Sequence, residues 1–249
     1  MKKSAKKKRP HPPTDIRPDI VAALEKAFPF DKVERVYSSE AEESYLIELY
    51  PKVRHNLGRI KGGHIVYERP PEGNREWAEA PDAGHEDMVI DDIAYSYHLL
   101  FLSPSGEEFR IEFEDEGGSM ENPEMVKFEG NIGCAVGISE IAPFAVIRFS
   151  SIAHADDGSE YLPSIETGIS SEDGDPLDPD QYYGGKLGEK AFKKLAGLRN
   201  TIAKILEKLG IAILPEEECQ KIVPWLIPGE EAFLLEKVNV QSAFFFTGP

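Results

Sequence analysis

The feature that most constrains the fold of this chain is an alternation of apolar and polar side chains. Five apolar residues occupy every second position from 93 to 101, and three more do so from 109 to 113. Ser103, Pro104, Ser105 and Gly106 between these runs are typical turn residues. Since a side-chain period of two is typical of a half-buried strand, the pattern predicts an antiparallel hairpin of strands 93–102 and 107–114, with one buried face and one charged face.

Two further apolar stretches, residues 126–138 and 141–149, predict additional strands of the same sheet. Gly130, Gly133 and Gly137 interrupt the first stretch, and we expect them to weaken it or to mark bulges. Shorter apolar segments predict strands near 64–67, 211–214 and 233–240.

Helical periodicity is concentrated towards the two ends of the chain. Ile20 and Leu24 recur on one face of a predicted helix over 18–28. A second helix is expected through Leu46 and Leu49, with Pro51 as its end. The strongest helix is predicted over 186–209, where Leu and Ile residues follow a period of 3.6, and Gly210 supplies its end.

This order of elements favours one fold class. Helices near the ends surround a central run of strands, without regular alternation of strand and helix. We therefore predict an α+β fold with a central, mostly antiparallel sheet and helices packed on one face. The domain is expected to span residues 15–249, preceded by a disordered basic tail over residues 1–14.

Charge is distributed very unevenly along the chain. The formal net charge is −17, yet residues 1–13 carry +6 and residues 186–208 carry +5, so the remaining residues carry −28. The folded surface is therefore expected to be strongly negative, which repels nucleic acids and anionic membranes and attracts basic partners.

This charge pattern favours a non-enzymatic protein that binds a basic protein partner. The analogy is with acidic immunity and inhibitor proteins, and it rests on composition alone. The expected contact residues belong to the predicted hairpin and to a later acidic segment: Glu107, Glu108, Glu112, Glu114, Asp173, Asp175, Asp178 and Asp180.

A divalent-metal-dependent hydrolase is the first alternative. His154 lies next to Asp156 and Asp157, and clustered oxygen ligands suit Ca²⁺ or Mg²⁺. However, no EF-hand loop, paired-histidine zinc motif, nucleophile elbow or phosphate-binding loop is complete in the sequence, so no cofactor is predicted. His98 is expected on the polar face of the hairpin as an exposed or lightly bonded imidazole.

Nucleic-acid tethering through residues 2–9 is the second alternative, because mobile lysines neutralise phosphates without reading bases. Only two cysteines occur, Cys134 and Cys219, far apart in sequence, which excludes a disulfide scaffold and favours a reduced pair. The sequence contains no apolar run of about 20 residues that could span a membrane. A cytoplasmic location is expected on these grounds.

Overall fold

The computed structural model describes residues 15–27, 46–69, 97–119, 122–165, 169–170, 176–177, 179–226 and 237–245. The helices are α1 (Pro18–Ala27), α2 (Leu46–Leu57), α3 (Pro179–Lys208), α4 (Glu216–Cys219) and α5 (Val240–Phe244). The strands are β1 (Gly63–Arg69), β2 (Tyr97–Pro104), β3 (Arg110–Ser119), β4 (Asn122–Ser139), β5 (Phe144–Ala155), β6 (Glu160–Tyr161), β7 (Ile169–Ser170), β8 (Pro176–Leu177) and β9 (Ala212–Ile213). A short 3₁₀ turn, Glu107–Phe109, precedes β3.

Seven of these strands form the main sheet, in the order β1-β2-β4-β5-β6, with β3 also paired to β4 and β9 to β5. Every pairing in this sheet is antiparallel except that of β5 with β9. The predicted α+β class and the mostly antiparallel sheet are therefore confirmed. The short strands β7 and β8 pair with each other separately.

The predicted hairpin between residues 93–102 and 107–114 is wrong, because β2 and β3 do not pair with each other. Residues 93–96 of its first strand lie outside the described residues. Both pair with β4, which is 18 residues long. The outer part of β4 pairs with β3, from Arg110 opposite Asn131 to Ser119 opposite Asn122. Its inner part pairs with β2, from Tyr97 opposite Ser139 to Leu102 opposite Cys134.

Burial explains why β2 does not form a hairpin with β3. Seven of the eight residues of β2 are buried, so both faces of this strand are covered and it takes a central place beside β1 and β4. Phe109 in the linking 3₁₀ turn is fully buried in the cluster that contains α3. The turn therefore enters the core, and β3 starts beside a different part of β4.

Two hydrophobic layers cover the central sheet. The layer that contains α2 and α3 packs on the face of Leu100, Leu102 and Cys134, which is the predicted docking of the long helix. A second layer, formed by α1, α4, α5 and residues 223–226, packs on the face of Leu99 and Phe101. The predicted packing of helices on one face of the sheet is observed for α2 and α3. The structure adds α1, α4 and α5 on the opposite face.

The long helix buries the expected stripe. Leu195, Ile202 and Leu206 are fully buried, and the chain leaves the helix through Gly210 at a φ of 83°. The helix begins earlier than predicted and changes direction at Gly188, where φ is 69° and ψ is 158°. Because a positive φ suits glycine, Gly188 permits this kink.

Two other boundaries differ from the sequence prediction. Pro51 lies inside α2 instead of ending it. Its cost of about 3 kcal/mol is outweighed by the burial of Leu46, Val53 and Leu57 on one face, at about 1.5–3 kcal/mol each. Of the strand predicted near 233–240, residues 233–236 lie outside the described residues. Its end is wrong, because a helix begins at Val240 after a capping box between Asn239 and Ser242.

The glycines of β4 do not mark bulges. The register of β4 with β5 is continuous from Phe128 to Ile138. A Cβ atom at Gly133 would lie 2.7 Å from Cζ of Phe101 and would also collide with the Leu102 carbonyl oxygen, and one at Gly137 would lie 2.5 Å from Cδ1 of Ile165. These glycines therefore allow neighbouring chain segments to approach β4 closely.

The basic tail over residues 1–14 lies outside the described residues. Cys134 and Cys219 are both buried, and neither forms a disulfide bond within the described residues. No helix in the described ranges is both long and apolar enough to cross a membrane.

Candidate functional site

The predicted acids of the former hairpin lie on the outer part of the sheet. Glu107 and Glu108 belong to the 3₁₀ turn, and Glu112 and Glu114 belong to β3. Glu107 and Glu108 form ion pairs close to the turn, since Oε1 of Glu108 lies 2.5 Å from Nζ of Lys194 and Oε2 of Glu107 lies 3.2 Å from Nη1 of Arg110. Glu112 and Glu114 remain exposed on the strand itself.

The sheet places Glu112 in a row of ionisable side chains that crosses four strands. Glu112 lies opposite Glu129 of β4, Glu129 opposite His154 of β5, and His154 opposite Glu160 of β6. Directly opposite residues project from the same face of a sheet, with Cβ atoms about 4.5–5.5 Å apart. The side chains of these four residues are 50–65% exposed, so the row faces solvent. We define the acidic sheet face as these four residues together with Glu114 and Lys127.

Lys127 is the cation of this face. Its Nζ lies 2.7 Å from Oε1 of Glu129 and 3.2 Å from Oε2 of Glu112, and its backbone position is opposite Glu114. Glu129, and then Glu112, raise the pKa of the Lys127 ammonium, and Lys127 lowers the pKa of the Glu129 carboxyl. One lysine among four carboxylates leaves the face negative.

Aromatic packing stabilises this outer region from the opposite face. The rings of Phe113 and Phe128 stack with centroids 5.2 Å apart, and Tyr161 contacts both edge-on at 5.3 Å and 4.8 Å. A hairpin of only two strands is marginal in water, so this cluster helps to hold β3 beside β4 and β6 beside β5. Met125, which is 64% exposed, lies two residues before Lys127 and so shares its face.

The residues of the metal hypothesis do not converge. His154 Nδ1 lies 3.2 Å from Oε1 of Glu160. Asp156 and Asp157 are exposed in the turn between β5 and β6, where Asp157 Oδ1 accepts a hydrogen bond from Ser159 N at 2.9 Å. That hydrogen bond lowers the pKa of the Asp157 carboxyl. Within the described ranges, no group of three or more His, Cys, Asp and Glu side chains could hold a metal ion.

The later acidic segment, residues 173–180, lies partly outside the described residues. Asp173, Asp175 and Asp178 lie outside the described residues, and Asp180 belongs to the first turn of α3. Their predicted role in partner binding therefore stays a prediction.

A second polar cluster, which the sequence did not indicate, lies between α2 and the inner end of the sheet. His98 is only 13% exposed and stacks on Tyr50 with ring centroids 4.0 Å apart. The Tyr50 hydroxyl donates to Glu68 at 2.8 Å, and Arg54 donates to the same carboxylate at 2.7 Å. Burial, and then Glu68, raise the pKa of the Tyr50 hydroxyl. Of the two alternatives predicted for His98, the exposed one is wrong, because α2 covers its face, whereas a lightly bonded imidazole agrees with the 3.6 Å between His98 Nε2 and Oε1 of Glu140.

Two residues of the acidic sheet face were also missed from sequence. Lys127 and Glu129 alternate with Val126 and Phe128, a period of two that would have placed both charges on one face of a strand. Glu160 gave no comparable signal, because β6 is only two residues long.

Comparison with known proteins identifies no relative: the chain matches no protein-family model, no curated protein and no solved structure.

Proposed function

We propose that this protein binds a basic protein partner through the acidic sheet face. The observation that supports the proposal best is the row of Glu112, Glu129, His154 and Glu160, which lie opposite one another on four strands and face solvent. The paired strands hold the backbone positions of these four residues at fixed spacing. Binding of a partner with matching cations therefore costs little conformational entropy on this side of the interface.

Electrostatics would govern the encounter with such a partner. The net charge of −17 attracts cations from a distance, and the field extends about 8–10 Å at physiological ionic strength. Charge complementarity of this kind mainly raises the association rate and fixes orientation. Binding is therefore expected to weaken steeply as salt is added.

An apolar contact beside the charges supports the same function. The exposed side chain of Met125 lies on the face of Lys127 and Glu129, and methionine adapts its shape to different partners. An apolar anchor within a polar rim is the usual anatomy of a protein interface.

The experiment is quantitative capture of proteins from a lysate of the source organism, with two variants of equal net charge. The first variant replaces Glu112, Glu114, Glu129 and Glu160 by Gln. The matched control replaces four exposed acids elsewhere, Glu48, Glu189, Glu207 and Glu217, by Gln. We expect wild type and control to retain the same basic protein at low salt and to release it at high salt.

The acidic-face variant should bind that protein at least about tenfold more weakly, which corresponds to about 1.4 kcal/mol. Equal retention by both variants would show that net charge, and not this face, is responsible. Retention of no basic protein by wild type at low salt would refute the proposal.

Metal-dependent hydrolysis and nucleic-acid tethering through residues 2–9 remain predictions from the sequence.

A further inference from the structure

Strand β3 lies at an edge of the sheet. It pairs with β4 at ten consecutive positions, from Arg110 to Ser119, without a change of register. On its other side, no strand within the described ranges pairs with it. β2 lies on the same side of β4 but is paired further along, at 134–139. Among the described residues, the backbone groups on the outward edge of β3 therefore have no strand partner.

An open edge of this kind is a template for another strand. In an antiparallel strand, alternate residues direct both N–H and C=O groups away from the existing neighbour. Natural proteins protect such edges with charges, bulges or a covering segment. Here the described part of the chain contributes no bulge and no covering strand, and the protection comes from Glu112 and Glu114, which are both exposed.

The two faces of this edge differ in chemistry. Glu112 and Glu114 project to the acidic sheet face, whereas Ile111 and Phe113 project to the face of the aromatic cluster and are half-buried. A strand added to this edge would meet carboxylates on one face and apolar side chains on the other. The best complement alternates Lys or Arg with apolar residues, since opposite charges on neighbouring strands attract.

We propose that β3 binds an extended segment of the basic partner as an additional β-strand, with alternating cationic and apolar residues. This inference rests on the proposed function and specifies how the partner binds. The same charges argue against a second copy of the chain as the occupant, because an antiparallel pair of β3 strands would place Glu112 and Glu114 beside like charges, which is destabilising.

The test uses three capped heptapeptides of alternating lysine and valine, all of the same charge. The first is unmodified, the second carries N-methyl groups on its valines and the third on its lysines. N-methylation removes the N–H donors from one edge of an extended peptide and leaves its side chains in place. Binding to the full-length protein is measured by calorimetry at low salt, and amide exchange of residues 110–116 is followed by NMR.

We expect the unmodified peptide to bind and to protect alternate amides of β3 from exchange. One of the two methylated peptides should bind at least about tenfold more weakly than the other, because only one peptide edge can pair with β3. The variant with Gln at Glu112, Glu114, Glu129 and Glu160 should weaken all three peptides.

The outcomes separate the two proposals. If all three peptides bind equally, protect no β3 amide and weaken with the Gln variant, strand addition is wrong and recognition by the acidic sheet face stands. If affinity is unchanged in the Gln variant, the acidic sheet face itself is wrong. If no peptide binds at low salt, strand addition by a basic segment is refuted, and the lysate experiment still decides the proposed function.

Discussion

Both halves of β4 are hydrogen-bonded to neighbouring strands, but their surroundings differ. Residues 132–139 are all buried, with β2 and β5 on either side and a hydrophobic layer on each face. Towards its other end the strand alternates exposed Lys127 and Glu129 with buried Phe128. The inner half belongs to the core, whereas the outer half presents its charged residues to solvent.

This difference assigns separate tasks to one element. In the inner half, each added or removed atom changes packing on both faces, so substitutions there are expected to act on stability. In the outer half, the charged side chains contact water on one face, so substitutions there can change recognition while the fold is retained. Each of the following comparisons substitutes similar residues in different environments.

The largest expected difference concerns two phenylalanines. Phe101 of β2 is fully buried beside the inner half of β4, and Phe101→Ala is expected to lower the free energy of unfolding by about 3–5 kcal/mol. Phe113→Ala, in the half-exposed aromatic cluster, should lower it by about 1–2 kcal/mol. Urea denaturation measures both, with Phe101→Leu as the milder substitution if Phe101→Ala does not fold. Equal losses at the two positions would contradict the division of β4.

Two glycines give the next comparison. Gly133→Ala places a Cβ atom 2.7 Å from Phe101 Cζ and against the backbone of Leu102, so we expect a loss of about 2–3 kcal/mol. Gly197→Ala in α3 meets no atom within 4 Å and should stabilise the protein by about 0.5–1 kcal/mol, because alanine favours the helix. The midpoints of thermal and urea unfolding should therefore fall for Gly133→Ala and rise for Gly197→Ala. If Gly133→Ala leaves both midpoints unchanged, β2 and β4 can move apart at this point without loss of stability.

Two ion pairs give a smaller difference. Arg148 of β5 is only 7% exposed, and its Nη2 lies 2.6 Å from Oε2 of Glu216. Glu216→Gln leaves the buried guanidinium without its carboxylate and should destabilise the fold by about 1–2 kcal/mol. Glu129→Gln removes a carboxylate from the exposed Lys127 and should lower the urea midpoint much less than Glu216→Gln does, because exposed ion pairs contribute little. If the urea midpoint shifts more for Glu129→Gln than for Glu216→Gln, the exposed pair stabilises the fold more than the buried one, which contradicts this comparison.

The sequence predicts these environments unequally. Local periodicity was sufficient for α1 and α3, because Leu24, Leu195 and Ile202 lie on stripes that are buried wherever the helix packs. Pairing of strands was not predictable in the same way. β2 and β3 are adjacent in sequence and separated by turn residues, yet both pair with β4, because the buried Phe109 and the two-sided burial of β2 outweigh the local preference for a hairpin.

The candidate site shows the same limit. Glu112 and Glu114 were identified from alternation within one strand, whereas their relation to Glu129, His154 and Glu160 depends on the register of four strands. Register is set by which face of each strand is buried, about which the charged residues themselves carry no information.

The smallest expected effect is a change in the pKa of one carboxyl group, that of Glu129. Lys127 lowers the pKa of Glu129 below its ordinary value of 4.5, so Lys127→Met should raise that pKa, as measured by NMR titration of the side-chain carboxyl. Lys193→Met, which removes an exposed lysine paired with Glu189 on α3, is the control and should leave the pKa of Glu129 unchanged.

The same substitution predicts a difference in acid sensitivity. A carboxyl group whose pKa is lowered by folding stabilises the folded state above its ordinary pKa, and this stabilisation is lost as the pH falls through the lowered value. Wild type and Lys127→Met should therefore differ in stability near neutral pH and converge as the pH falls below about 4. A Glu129 pKa that is identical in wild type and Lys127→Met would mean that Lys127 does not contact this carboxylate in solution.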